Sequence, residues 1–487
     1  MATTLKEKTI SGLFWSFIDS FAKQGITFIV GIILARILTP SEFGLIGMLT
    51  IFIAISQSFV DSGFSQALIR KKNCTNTDYS TVFFFNLLVS VVFYGLLFIF
   101  SGAISRFFGE PLLRPLLQVL GIIVIINAFT IIQRTLLIKR IDFKLQTRVS
   151  VISAIISGLI SLIMAFNGFG VWSLVGQQVS MFFFTSLFLW IWNRWVPSAE
   201  FSTSSFKELF SFGSKLLASG LIDNIYRNIY FLVIGRFFSA TALGFYTRAN
   251  QFKQLPSQTL TVIISRVTYP VLSNMQDNLP RLKTNYQKLI KATMLLTFVL
   301  MLGMAAVAEP LIITLIGEQW RPSVVYLQLL CFVGMMYPLH ALNLNILQVL
   351  GRSDLFLKLE IIKKIIAVPV ILLGIFLGIE AMIMGMIVNT FIAYYLNSYW
   401  SGSFIKYTIL EQIRDIFPSF GVALISALMV FLLGWMLPFG YPLKLIIQVI
   451  VGGILVFSVC EITRLEAYMS LREMIFTKIT AIIDARK

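Results

Sequence analysis

Charge is scarce in this chain, and so are the residues that bind metals. Only 13% of its 487 residues are charged, and it holds one histidine and three cysteines. Soluble domains carry about 25% charged residues, so soluble globular and disordered classes are excluded. Cys74, Cys331 and Cys460 lie too far apart for a metal-spaced pair or a disulfide framework. His340 stands in an apolar segment beside Pro338. One imidazole without nearby carboxylates or thiolates does not make a zinc site; it reads as a core histidine, with a proton relay as the alternative. No GxxxxGK[ST] phosphate loop occurs. No metal, cofactor or nucleotide chemistry is therefore called for. The N-terminal stretch MATTLKEKTISG has no cleavable-signal pattern, so the first apolar segment is expected to remain as a span.

Apolar length is what the chain has in abundance. Hydrophobic residues make up 57% of it and its mean hydropathy is +0.86. A helical crossing needs roughly 20 apolar residues. Runs bounded by charge or turn residues then give fourteen predicted spans, near 12–34, 43–69, 80–100, 115–138, 149–166, 171–192, 208–235, 241–270, 289–316, 324–349, 359–378, 381–401, 417–437 and 444–462. They lack the two-residue alternation of membrane barrels. The expected fold class is an all-α integral membrane protein of about 14 transmembrane helices. Most of the 39 lysines and arginines fall in alternate loops, on the side of both termini, which predicts cytoplasmic N- and C-termini. The net charge of +17 is thus largely topological, and no nucleic-acid partner is expected. The tail RLEAYMSLREMIFTKITAIIDARK has apolar residues at helical spacing, which predicts an amphipathic helix on the membrane surface, with a partner-binding helix as the alternative.

The chain also repeats itself. LARILTPSEFGL at 34–45 matches IGRFFSATALGF at 234–245, so that Arg36 and Gly44 fall on Arg236 and Gly244. Glu110, Pro111 and Leu112 match Glu309, Pro310 and Leu311, and KRIDFK at 139–144 resembles GRSDLF at 351–356. Three matches in the same order indicate a duplication in which both copies run in the same direction. The expected organisation is a six-helix lobe at 1–200, a second at 201–402, two further spans at 403–462 and the amphipathic tail at 463–487.

Ionisable residues within a bilayer are costly and normally face a bundle interior or a wet cavity. Span one holds Asp19 and Lys23, an acid and a base four apart on one helical face. Span seven holds Lys215 and a second such pair, Asp223 and Arg227. Span two adds Asp61, and span eight adds Arg248, Lys253 and Arg266 around Pro256, a predicted kink. The cations Lys215, Arg227, Arg248, Lys253 and Arg266 far outnumber the acids of their two helices, which points to a cationic, water-accessible cavity, with helix-end snorkelling as the alternative for Arg248 and Arg266. Lys23 is a further candidate for it. Such a cavity suits an anionic head group whose tail stays in lipid, since arginine and lysine both bind phosphate. Asp19, Asp61 and Asp223 are the candidates for coupling to a proton or sodium gradient. Trp15, Tyr226, Tyr230, Phe245 and Tyr246 offer surfaces for sugar rings.

The stretches KTISGLFWSFID, LARILTPSEFGLIGM, FVDSGFSQALIRKK, SRVTYPVLSNMQDN and LQLLCFVGMMYPL resemble the polysaccharide transporters of the MOP flippase superfamily, close to the Wzx-type exporters of colanic acid. The resemblance runs over nearly the whole chain. It implies a multi-pass protein of the bacterial inner membrane that moves undecaprenyl-pyrophosphate-linked oligosaccharide units between leaflets by alternating access. Its implied partners are that lipid-linked oligosaccharide, membrane lipids, and a polysaccharide polymerase with its export machinery. The family has no universal catalytic signature, and the chain is not expected to be an enzyme. A flippase for lipid II or another lipid-linked glycan is an alternative. A multidrug extruder of the same superfamily is another, though it would favour an acidic cavity.

Overall fold

The computed structural model describes residues 5–473, apart from the side chains at 5–11, 13, 263, 265–267, 269–271 and 353. The described residues are all-α. By their contacts they divide into two compact units after Gly244.

The first unit holds α1 (Leu5–Ile37), α2 (Pro40–Asp61), α3 (Phe64–Arg70), α4 (Asn76–Phe108), α5 (Leu113–Leu120), α6 (Ile122–Lys139), α7 (Phe143–Phe166), α8 (Trp172–Asn193) and α9 (Thr203–Phe237), together with the start of α10 (Ala240–Ser273). Reciprocal capping starts two of these helices. The Thr39 N–H donates to Glu42 Oε2 at 2.7 Å, and the Thr75 N–H to Asp78 Oδ2 at 2.9 Å. Helix α7 keeps Ile155, Leu159 and Ile163 exposed, as an outer membrane helix does. Its other side is a buried stripe of small residues, Ser150, Ser153, Ala154, Ser157 and Ser161, spaced three or four apart. Small residues let helix backbones approach closely in a bilayer, and α1 and α8 are the main neighbours of α7.

The stretches 34–45 and 234–245, matched in sequence, meet in this unit. A Cβ added at Gly44 would lie 1.7 Å from the Ala240 carbonyl oxygen, and one at Gly244 would lie 1.9 Å from that of Pro40. The first turns of α2 and α10 therefore cross backbone to backbone, each presenting a glycine to the other's end.

The second unit continues α10 and adds α11 (Leu279–Ala306), α12 (Ala308–Ile316), α13 (Ser323–Gly334), α14 (Tyr337–Val349), α15 (Ser353–Leu377), α16 (Ile379–Ile405), α17 (Ile409–Met436) and α18 (Tyr441–Thr463). Residues 466–473 are helical, so the first part of the predicted amphipathic tail is a helix. Leu465, Tyr468 and Leu471 pack against Leu295, Val422 and Cys460. Residues 474–487 of that tail lie outside the described residues.

Eleven stretches among the described residues are long and apolar enough to cross a membrane. The three further spans expected from the sequence coincide with α9, α10 and α15, which are 35, 34 and 25 residues long. Charges inside α9 and α10, Lys215, Asp223 and Arg227 in one and Arg248 and Lys253 in the other, lower their hydropathy. Four expected spans are also interrupted, among them span four at Gly121 between α5 and α6 and span nine at Val307 between α11 and α12. Span two breaks between α2 and α3, where Ser62 and Gly63 are left-handed with φ 47° and 71°. Span ten breaks at Met335 and Met336, just ahead of Pro338 near the start of α14. Conversely, α10 runs unbroken through Pro256.

Loops expected on one side of the membrane meet within each unit. In the first, Lys71 pairs with Asp78 at 3.1 Å and Glu208 at 2.9 Å. In the second, Lys291 pairs with Asp415 and Glu466 at 3.1 and 2.7 Å. Arg321 pairs instead with Glu309 at 2.6 Å and with Glu318.

Candidate functional site

In the first unit the span-one pair acquires partners from two other helices. Gln146 on α7 donates from Nε2 to Asp19 Oδ2 at 3.5 Å, and Thr147 Oγ1 donates to the Trp15 carbonyl at 2.9 Å, which fixes α7 against α1. Arg134 on α6 lies within electrostatic reach of both Asp19 and Lys23. One carboxylate is thus shared between two cations. Arg134 is partly buried. Two acceptors here, Asp19 Oδ1 and Gln146 Oε1, are buried with no hydrogen-bond partner.

Sequence reasoning missed Arg134 and Gln146. The available signal for Arg134 was a lone arginine inside the apolar run IIVIINAFTIIQRTLLIK; its acid is on another helix, so spacing within the run could not reveal the pairing.

Asp61 is separate from this cluster. It is the last residue of α2 and accepts from the Ser65 N–H at 3.3 Å and from the Ser65 hydroxyl, so it caps the start of α3 across the break. Gly63 in that break approaches α9 so closely that a Cβ there would lie 2.4 Å from the Gly213 carbonyl oxygen. Further along α9, Asn224 Nδ2 donates to Ser58 Oγ at 2.6 Å. Around these contacts α9 carries Lys215 and Arg227, both exposed, and Asp223, partly buried.

Two of the predicted cations lie in the second unit and are buried there. Arg248 is 6% exposed; its Nη1 donates to Gln251 Oε1 and its guanidinium sits 5.8 Å from the Trp320 ring centroid. Burial by this ring replaces the snorkelling alternative for Arg248. Lys253 is 2% exposed, with Nζ 4.9 Å from the centroid of Tyr337, a cation–π contact. Its stem runs across Gly334, where a Cβ would come within 2.9 Å of Lys253 Cγ and Cδ. Lys253 is therefore held at the break between α13 and α14. The side chain of Arg266 lies outside the described residues. His340 is partly buried, with Nδ1 3.3 Å from Asn397 Nδ2.

Outside the spans, Lys71 is held above the ordinary lysine value, chiefly by its hydrogen bond to Glu208 and further by Asp78. Arg321 is raised by its hydrogen bonds to Glu318, Tyr441 and Glu309.

A family model described as "Polysaccharide biosynthesis protein" matches residues 33–325, more than half of the chain. Among named relatives, the chain is 27% identical over 374 residues to lipopolysaccharide biosynthesis protein WzxC of Escherichia coli, covering 76% of each chain. It is 28% identical over 354 residues to teichuronic acid biosynthesis protein TuaB of Bacillus subtilis, covering 72% of this chain and 73% of that one. Among solved structures, the lipid II flippase MurJ in an inward closed conformation superposes with a TM-score of 0.75 at 14% identity, covering 93% of this chain and 98% of that one. An inward-facing multidrug-resistance MATE transporter of the MOP superfamily gives 0.61 at 16%, covering 79% and 94%. At these identities the structural likeness speaks for the fold.

Proposed function

The chain belongs to the polysaccharide biosynthesis protein family, and from that premise we propose that it is a flippase for undecaprenyl-pyrophosphate-linked oligosaccharide units, working in the bacterial inner membrane for surface polysaccharide assembly. It is a transporter and not an enzyme. Alternating access moves the head group from the cytoplasmic to the outer leaflet while the prenyl tail stays in lipid. The eleven apolar stretches, with α9, α10 and α15, make fourteen spans with both termini cytoplasmic, organised as duplicated lobes at 1–200 and 201–402 followed by two further helices.

The observation that carries this reading is the concentration of cations in α9 and α10, helices long enough to span yet bearing Lys215, Arg227, Arg248 and Lys253. Lys215 and Arg227 in the first unit, and Lys253 in the second, are each assigned to phosphate binding, with Arg248 and Arg266 as further candidates; Lys23 is taken up below with Asp19. A fork of guanidinium donors and an ammonium point charge together suit a pyrophosphate. Asp61, at a helix break, and Asp223, one turn from Arg227, are assigned to ion coupling by protons or sodium; Asp19 is taken up below. A polymerase and export machinery would receive the product.

The test is transport in reconstituted vesicles. Lys215→Gln with Arg227→Gln is expected to abolish flipping of a pyrophosphate-linked glycolipid while leaving insertion intact. Unchanged flipping removes these two residues from the mechanism.

A further inference from the structure

Asp19 and Gln146 present a chemical mismatch that a phosphate does not resolve. Asp19 Oδ1 and Gln146 Oε1 are both buried acceptors without a partner. The one contact between these side chains, Gln146 Nε2 to Asp19 Oδ2 at 3.5 Å, uses neither atom. What is missing is therefore a pair of donors. Phosphate oxygens accept, and a prenyl or acyl chain does neither, so neither part of a lipid pyrophosphate satisfies these atoms. A monovalent metal ion needs several more oxygen ligands than the two left open, and Lys23 and Arg134 beside Asp19 repel it. Hydroxyl groups fit: each donates one hydrogen bond and carries no charge.

The surroundings also fit a sugar ring. Trp15 lies four residues before Asp19 and Lys23 four after, so all three share one face of α1. Trp15 is partly buried, and its carbonyl holds Thr147, the residue next to Gln146. Two α1–α7 hydrogen bonds, from Thr147 to the Trp15 carbonyl and from Gln146 to Asp19, hold these residues in register, and Lys144 Nζ lies 5.7 Å from the Trp15 ring centroid. An indole offers a flat apolar surface to the carbon–hydrogen face of a pyranose while its neighbours take the hydroxyls.

We propose that Asp19 and Gln146, beside the Trp15 ring, form a subsite in the first unit that reads the hydroxyl groups of the sugar carried by the lipid, with Lys23 and Arg134 supplying the charge that balances Asp19. This rests on the flippase reading above and adds to it: recognition of the glycan is separate from recognition of the pyrophosphate. It also removes Asp19 from the set of coupling carboxylates.

Equilibrium binding to the purified full-length protein in detergent tests it. The probes are undecaprenyl pyrophosphate, the same carrier bearing glucose, galactose or N-acetylglucosamine, and single-deoxy analogues of whichever glycosylated probe binds best. Wild type is expected to bind at least one glycosylated probe about tenfold more tightly than the bare carrier, the size of one charge-assisted hydrogen bond. One or two deoxy analogues should lose that gain. Asp19→Asn and Gln146→Leu should each collapse the ratio of the two affinities towards one, and Trp15→Ala should reduce it. Equal affinity of wild type for bare and glycosylated carriers means that water fills the site, and overturns the proposal. So do deoxy analogues that all bind like the parent, a readout independent of whether any variant folds, and so do variants that keep the wild-type ratio. If wild type binds neither the bare nor the glycosylated carriers, the flippase reading itself fails, which is distinguishable from binding without sugar preference.

Discussion

Replacing Gly44 by alanine tests the crossing of α2 and α10 directly. The added methyl would lie 1.7 Å from the Ala240 carbonyl oxygen and 2.5 Å from its carbonyl carbon. Unstrained contact between heavy atoms begins near 3.5 Å, so the helices must part by roughly 1.8 Å. The obstacle is backbone and cannot rotate away. Overpacking of a tight site costs about 1–3 kcal/mol, and a backbone obstacle places Gly44→Ala near the upper end. Gly244→Ala, whose methyl would meet the Pro40 carbonyl oxygen at 1.9 Å, should cost about the same. Because both methyls enter one crossing, the separation made for the first relieves the second. The double variant should therefore fall short of the sum by about 1–2 kcal/mol, a coupling of the size seen between residues in contact. Reversible unfolding in mixed micelles, followed by tryptophan fluorescence and arranged as a double-mutant cycle, measures both quantities. A single variant within about 0.5 kcal/mol of wild type, or an additive double variant, refutes the reciprocal crossing.

Three other perturbations have defined outcomes. Lys71 is raised above the ordinary lysine value of 10.5, so its contribution is fully present below that pH and is lost as pH rises through the raised folded value; Lys71→Met should remove this alkaline component from a stability–pH profile, and a profile unchanged between the two proteins would contradict the pairing. Lys253→Met keeps the apolar stem and removes the charge; unfolding free energy should stay within about 1 kcal/mol of wild type, as for isosteric replacement of a buried charge, while vesicle transport falls at least tenfold. A destabilisation above about 3 kcal/mol would instead reveal a broken buried ion pair. Arg321→Ala removes contacts to Glu309, Glu318 and Tyr441, but its side chain is 46% exposed, so the loss should be below about 1 kcal/mol in an unfolding titration; a larger change would make this cluster a structural clamp.

Much of the architecture was legible because membrane helices announce themselves by apolar length. The paired glycines were legible too, as a repeat, though their physical meaning was not: only coordinates reveal that Gly44 and Gly244 each meet the other copy's helix end. The break at Ser62 and Gly63 had a signal in Gly63, yet the apolar residues on both sides made one continuous run. At Met335 and Met336 the signal was Pro338, which disfavours helix in the residue before it. Pro256 carried the same kind of signal without a break, so proline alone does not decide. In the candidate site, the placement of Asp19 and Lys23 on one face of α1 was readable from four-residue spacing, whereas Arg134 and Gln146 join through contacts between helices distant in sequence. Lys253 was found as a charge, but its seat against Gly334 and Tyr337 depends on how α13 and α14 pack.

The short helix α3 ends in a knot of late-arriving partners. Lys139 Nζ donates to the carbonyls of Leu68 and Lys71 at 3.1 and 2.6 Å, and the Lys71 side chain reaches Glu208 at 2.9 Å, 137 residues further along. At ribosomal speeds of about 5–20 residues per second, the interval between the synthesis of Lys71 and that of Glu208 is on the order of 10 s. During that time the Lys71 ammonium has Asp78 alone as its partner, and the Leu68 and Lys71 carbonyls stay open until Lys139 has been made. The nascent protein is accordingly most vulnerable to membrane proteases after its first two spans have emerged and before the seventh begins, and weakening either lysine should lower yield during biogenesis more than it lowers the endurance of the finished transporter.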